Sequence, residues 1–272
     1  AWRPHPSVAV TDATNMCGRF TLTITPEELA AILAVVDLEP FPPRYNIAPT
    51  QPILMVLAGD APPQPGSNLP NRRALLVRWG LIPHWAKDPK SLPLMFNIRS
   101  ETAAEKGTSK AAIRHRRSLV PASGFYEWQK IGKEKQPFFL RPRGGGLVTF
   151  AGLMETYADP NGSEIDTGAI LTTAASRDIA PIHDRMPVVV RDVDRERWLD
   201  CRNYEPRDVS DILHPPEPGF FEAIPISDLV NKVTNTGPEI QQPIAAPLSR
   251  PAVEAEPSPP EDQLPQGQLR LL

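Results

Sequence analysis

Cysteine is nearly missing from this chain, with only Cys17 and Cys201 in 272 residues. Two thiols cannot make the disulfide framework of a small secreted domain, and without a Cys-x-x-Cys or a paired histidine spacing there is no signature of bound zinc. A reducing, intracellular setting is the default that follows. Long apolar runs are missing as well. The longest, such as Leu29 to Val36, fall well short of a membrane span, and Ala1 to Asn15 has Arg3 but no apolar h-region of a secretion signal. Charge of one sign is also lacking, since the formal net charge is -3. From Ala252 onward there are four acids (Glu254, Glu256, Glu261, Asp262) and one base (Arg270), which leaves the body neutral. That balance argues against a protein that grips nucleic acid with its whole surface. No repeat of fixed period is present.

What is there in quantity is apolar residue, 40% of the chain, and proline, 34 residues. At this length the apolar share supports one large core. Thr25-Pro26-Glu27-Glu28 predicts a capped helix running to about Val36, closed off by Pro40, Pro42 and Pro43. Ile53 to Ala58 and Ala74 to Trp79 read as strands flanking a proline-rich insertion from Ala61 to Asn71. Short helices are expected over Ser100 to Lys106, Ala111 to Arg116 and Val193 to Leu199. Strands are expected over Leu119 to Gln129, Phe138 to Arg141, Leu147 to Glu155, Ala169 to Ala174, Val188 to Val190 and Phe221 to Ile226. Turns are expected at Gly132 and at Gly144 to Gly146. Mixed order without regular alternation predicts an α+β fold: a single domain on a curved, mostly antiparallel, barrel-like β-sheet with short flanking helices. Three segments follow: an N-terminal extension over 1–15, a catalytic domain over 16–244 and a proline-rich acidic tail over 245–272 that reads as disordered.

Basic residues cluster at Arg72-Arg73, at Arg114-His115-Arg116-Arg117 and at Arg141 with Arg143. Such clusters can form a phosphate-tracking stripe, although solvated surface is the commoner fate of any one of them.

Met16-Cys17-Gly18-Arg19-Phe20 carries the sharpest chemistry. If Cys17 becomes the first residue, it presents an amine and a thiol on adjacent atoms. An α-amine titrates near 7.7 to 8.0 against about 10.4 for lysine, so it is neutral far more often at neutral pH and attacks an aldehyde as it stands. The neighbouring thiol then closes a thiazolidine ring, which neither an internal cysteine nor a lysine can form. In the chain as written Ala1 to Asn15 precede Met16, so either Met16 is the true start or the chain is cleaved after it. A lone cysteine near an N-terminus is more often a small buried hydrophobe.

Four further segments offer chemistry. Glu127 lies inside the aromatic strand Gly124-Phe125-Tyr126-Glu127-Trp128; buried, it would keep its proton to higher pH and suit proton transfer, and on an open face it would simply meet water. His183, between Pro181 and Pro187, is either an acid-base group held rigid or a turn cap. Asn97 and Arg99 sit two apart, on one side of an extended backbone, where an amide can orient a carbonyl or amine and a guanidinium can hold phosphate; capping by Ser100 explains the segment equally well. Trp79, His84 and Trp85 can stack on bases, with a core role the default for the tryptophans.

Taken together, Met-Cys-Gly-Arg-Phe, Arg44 to Pro49, Trp79 to Pro83, Asn97 to Thr102, Gly124 to Trp128, Thr172 to Ala175 and Ile182 to Pro187 resemble, in order, the motifs of the SRAP family, the SOS response-associated peptidase or abasic-site processing proteins. The likeness spans roughly Met16 to Ile244. It implies a protein that binds single-stranded DNA, captures the ring-opened aldehyde of an abasic site and shields it as a covalent crosslink. It also implies a peptidase step that removes what precedes Cys17. By resemblance, Cys17 is the nucleophile, Glu127 manages protons on its amine, His183 assists opening of the sugar ring and Asn97 positions the terminus. Arg19, Arg44, Arg99, Trp85 and Thr173 match contacts to phosphates and bases beside the lesion. The implied partner is single-stranded DNA bearing abasic sites, in the cytoplasm and on the nucleoid, with a monomer as the working state and with no cofactor, metal or membrane. Two other readings compete: a thiol peptidase with a Cys-His pair acting on other proteins, and a non-covalent single-stranded DNA-binding module with Cys17 merely packed.

Overall fold

The structure, a computed structural model, describes residues 17–36, 38–59 and 72–245. The expected extension over 1–15, the insertion over 61–71 and nearly all of the tail over 245–272 lie outside the described residues. In chain order the elements are β1 (Phe20–Leu22), α1 (Pro26–Leu33), β2 (Arg44–Ile47), β3 (Pro52–Ala58), β4 (Arg72–Trp79), β5 (Asn97–Arg99), α2 (Lys110–His115), β6 (Arg117–Ala122) and β7 (Gly124–Ile131). Then come β8 (Glu134–Pro142), β9 (Val148–Ala158), β10 (Glu164–Ala174), β11 (Arg185–Pro187), α3 (Arg195–Leu199) and β12 (Phe221–Pro225), with 3-10 segments of three to eight residues between and after them.

Strands β10, β4, β3, β6 and β9 pair in that order, and β9 pairs back onto β10, which closes a five-stranded barrel. All its pairings are antiparallel except β10 with β4. Short strands β5, parallel, and β11, antiparallel, prolong the sheet beyond β10. A second antiparallel sheet runs β12-β8-β7-β1-β2. The expected α+β class and barrel-like sheet are therefore present. Among the described residues no helix is long and apolar enough to cross a membrane.

One apolar core joins the two sheets. Phe20 of β1 meets Trp79 of β4 edge-on at 5.1 Å, and Phe125 of β7 packs between Phe150 of β9 and Phe221 of β12. Strand β3 is buried from Ile53 to Leu57 on both faces, which is why its sequence is a continuous apolar run rather than an alternating one.

The elements depart from expectation in four places. Helix α1 has the capping box at Thr25 but ends at Leu33, where Ala34 turns left-handed. Ser100 to Lys106 forms one 3-10 turn followed by irregular turns. Val188 to Val190 forms no strand beyond one bridge from Val189 to Phe150; the pairing lies just upstream, in β11. The run from Leu119 to Gln129 is two strands. At Ser123 the chain leaves the barrel for the second sheet, fixed there by Ser123 N donating to Thr21 O at 2.7 Å and by Ser123 Oγ accepting from Thr23 N at 2.9 Å.

That crossing positions the site. Tyr126 N donates to Arg19 O at 3.0 Å, so the residues ahead of β1 run alongside β7 and Cys17 arrives beside Glu127.

Candidate active site

Cys17, Glu127, Asn97 and His183 come from four separate parts of the chain and converge where β1 and β7 meet the end of β10. The Cys17 nitrogen donates to Glu127 Oε1 at 2.8 Å, and Cys17 Sγ donates to the same oxygen at 2.6 Å. Asn97, on β5, donates through Nδ2 to the Cys17 carbonyl oxygen at 3.0 Å. His183 Nδ1 lies 3.8 Å from Glu127 Oε1. Backbone nitrogen, thiol and carbonyl of one residue are thus each held by a side chain from elsewhere.

Burial sets the electrostatics. Cys17 is 3% exposed and Glu127 2%. Loss of water pushes the Glu127 carboxyl up to about 7, while His183 and the donors on Cys17 pull it the other way. Burial, and next the adjacent Glu127 charge, hold the Cys17 thiol well above its ordinary range. The sulfur is therefore a neutral S–H in this arrangement, and Glu127 is poised to exchange a proton near neutrality.

His183 is set by its neighbour. Arg185 N donates to His183 Nδ1 at 3.0 Å, and because the backbone fixes that hydrogen, Nδ1 accepts and the neutral ring carries its proton on Nε2. When the ring gains a second proton, Nδ1 becomes a donor and the Arg185 carbonyl oxygen, 3.1 Å away, can receive it. The Arg185 guanidinium is held bidentate by Glu101, at 2.5 and 2.9 Å, and donates to Thr172 O at 2.6 Å. Sequence reasoning assigned no part to Glu101 or Arg185, although both lie inside segments it singled out; the only signal was opposite charge in two motifs that each hold a site residue.

The remaining sequence candidates are dispersed. Arg99 is exposed on β5, in register with Thr172, and Thr173 beside it is buried in β10. Arg19 donates to Asn46 Oδ1 at 2.9 Å, Val230 O at 2.8 Å and Asn231 O at 3.2 Å, which ties β1 to β2 and to the 3-10 turn after β12. Arg44 donates to Gln51 Oε1 at 3.0 Å and to the Pro52 carbonyl. Trp85 is 50% exposed with Nε1 on the Gly107 carbonyl at 3.2 Å, whereas Trp79 is a core residue. His84 stands 3.4 Å from Glu155.

Members of the basic clusters have different surroundings, and Arg73, Arg114, His115, Arg116 and Arg143 are exposed. Arg117 is buried, Arg114 pairs with Glu205 at 2.8 Å, Arg141 pairs with Glu222 at 2.6 Å, and Arg72 is bonded to Leu33 O and to Glu196.

Fold and site together define a barrel protein in which a buried cysteine is held through its own backbone nitrogen, thiol and carbonyl, with no thiolate-imidazole pair at that cysteine. Residues 16–233 match the SOS response associated peptidase (SRAP) family, and the chain belongs to it. It is 37% identical over 229 residues to "Abasic site processing protein YoqW" of Bacillus subtilis, covering 83% of this chain and 98% of that one. It is 32% identical over 238 residues to "Abasic site processing protein YedK" of Escherichia coli, covering 84% and 100%, respectively. "Abasic site processing protein HMCES" of Gallus gallus is 32% identical over 265 residues, with 84% and 78% covered. The fold matches a crystal structure of a Bacteroides thetaiotaomicron protein with a TM-score of 0.74 at 22% identity, over 84% of this chain and 100% of that one.

Proposed function

We propose that this protein senses abasic sites in single-stranded DNA and captures them as a covalent thiazolidine through Cys17, after removing the residues that precede it. The observation that carries the reading is that the Cys17 nitrogen and sulfur both point at one oxygen of a buried carboxyl, Glu127 Oε1. The relatives' names, abasic site processing proteins, supply the DNA lesion as substrate.

In the full chain the Cys17 nitrogen is acylated by Met16. Hydrolysis of that bond consumes one water and leaves a carboxylate on Met16 and an amine on Cys17. Glu127, protonated up to about pH 7, stands next to the leaving nitrogen and can hand it a proton. Asn97 holds the new terminus by its carbonyl throughout.

Capture then follows. An abasic sugar rests mostly as a closed hemiacetal, and a proton from His183 to the ring oxygen opens it to the aldehyde; positioned proton transfer of this kind is worth about 10² to 10⁴-fold in rate. The neutral amine adds to the aldehyde carbon, the carbinolamine loses water with Glu127 returning the proton to the departing hydroxyl, and an imine forms. Cys17 sulfur adds to the imine carbon, its proton passing to nitrogen. One water is released overall, and the product holds both N–C and S–C bonds to the same carbon. A single strand suits the reaction because the lesion need not be drawn out of a duplex. The protein would act as a monomer in the cytoplasm, on the nucleoid when bound.

Amine chemistry is favoured over a thiol peptidase acting on other proteins because the His183 nitrogen nearest the site accepts from Arg185 N while the sulfur donates to Glu127, so no Cys-His ion pair is set up. The test is incubation with a single-stranded oligonucleotide bearing one abasic site, run on a heated denaturing gel. The wild type is expected to give a heat-resistant shift and Cys17→Ala none. Equal trapping by Cys17→Ala, or a trapped product whose Cys17 nitrogen is still acylated, overturns the reading.

A further inference from the structure

Gln129 lies two residues beyond Glu127 on β7, on the same side of the strand. From there it reaches the turn that carries His183, where its Nε2 donates to the Pro181 carbonyl oxygen at 2.9 Å. The base of that turn is closed by Ala175 N donating to Asp184 O at 2.9 Å, and its middle is pinned by the buried Ile179, whose carbonyl accepts from His183 N at 3.1 Å. Its far end is fixed by Arg185 and Glu101. These contacts give the turn its shape. The Gln129 hydrogen bond adds a contact between its exposed face at Pro181 and the strand that holds Glu127.

We propose that Gln129 is a positioning residue for His183: by tying Pro181 to β7 it sets how far the imidazole stands from Glu127, a separation of 3.8 Å between Nδ1 and Oε1. The inference rests on the reading of His183 as the proton donor in abasic-site capture. Carboxylate and tether are carried two residues apart by one strand, so they move as a unit, and loss of the tether frees the turn relative to the carboxylate. A displacement of about 1 Å in a reacting group can cost on the order of 10²-fold in rate, so even a partial loosening is measurable. Stability is a poor gauge here, because a solvent-exposed side-chain hydrogen bond contributes little to it.

The test is a double-mutant cycle on the full chain, reading single-turnover capture of an abasic single-stranded oligonucleotide. Gln129→Met keeps the length of the side chain and removes the donor. It is expected to slow capture about tenfold in the otherwise unchanged protein and to add no further slowing to His183→Ala. Binding of an ordinary single strand and the thermal transition should not move. Equal slowing in both backgrounds, or none in the otherwise unchanged protein, overturns the role assigned to Gln129 while leaving the capture chemistry in place. A wild type that traps no abasic DNA overturns the capture reading itself, and the inference with it.

Discussion

Glu127 Oε1 takes two donors from Cys17, and its protonation is the property a pH titration reads most directly. Amine attack needs the carboxylate form as proton acceptor, so the rate of capture should rise with pH through an apparent pKa near 7, the value to which burial pushes this carboxyl. Glu127→Gln should remove the component near 7 and slow capture by about 10² or more, leaving the rise near 7.7 to 8.0 that belongs to the α-amine; a component near 7 that survives the substitution would assign it to another group. The same residue makes a stability prediction of definite sign. The folded carboxyl holds its proton up to about pH 7, whereas an unfolded glutamate releases it near 4.3. Between these values the folded chain binds more protons than the unfolded one, so stability falls as pH rises through that window and stays reduced above it. Glu127→Gln is therefore expected to raise the unfolding free energy by about 3 to 4 kcal/mol at pH 8 and by little at pH 4, read from urea melts at the two pH values. In the proposed capture, burial holds the thiol neutral, so the amine would act first and the sulfur would close the ring. Cys17→Ser, once processed, should then form an imine that borohydride traps but heating destroys; a heat-stable product without reductant would show that the ring is not needed.

Among the elements, the crossing from β6 to β7 decides whether a site exists, because it carries Glu127 out of the barrel to face Cys17. Gly124 makes the crossing possible. A Cβ there would stand 2.5 Å from the Phe139 ring and 2.6 Å from the Leu140 carbonyl oxygen, and the second of these is backbone and cannot yield cheaply. Gly124→Ala should cost about 2 to 3 kcal/mol and depress capture along with stability; a melt unchanged by the substitution would mean that β7 and β8 can separate without harm. The sequence does not announce this crossing, since Leu119 to Trp128 is one β-prone run in which Pro121 stays within β6 and the break falls at Ser123-Gly124. Helix α1 was readable because its cap, Thr25 with Glu28, is local in sequence. Strands β5 and β11 have three residues each, too few for a period to be seen, and they were found only as motif segments around Asn97 and His183. Those two residues and Glu127 were legible as chemistry; the contacts around His183 were less so, because Gln129 bonds a backbone carbonyl and the Arg185 backbone amide bonds the ring, and the one side-chain signal was the opposite charge of Glu101 and Arg185.

For the molecule as a whole, arginine is as much a building material as a binding one. Arg117 stands in the most basic run of the chain, yet it is 1% exposed. Its guanidinium donates to the carbonyls of Ile113, Trp198, Asp200 and Tyr204 at 2.6 to 3.0 Å and lies 5.5 Å over the Trp198 ring. Those acceptors belong to α2, to α3 and to the segment after α3, so one cation gathers the helical cover onto strand β6 of the barrel. Residue type alone cannot separate such an arginine from its neighbours Arg114 and Arg116; only the carbonyls that converge on it do. Arg117→Met keeps the apolar stem and removes every donor, stranding several buried carbonyl oxygens at roughly 1 to 3 kcal/mol apiece before relaxation. Relief from burying a charge offsets part of that, and Arg117 is indeed held below its ordinary range by burial. The net expectation is a loss of about 3 kcal/mol, a fall of roughly 6 to 12 °C in the melting temperature for a domain of this size. Capture per folded molecule, measured well below the transition, should be unchanged. If capture fell in step with temperature-independent loss of DNA affinity while the melt stayed put, Arg117 would instead belong to a phosphate-binding surface.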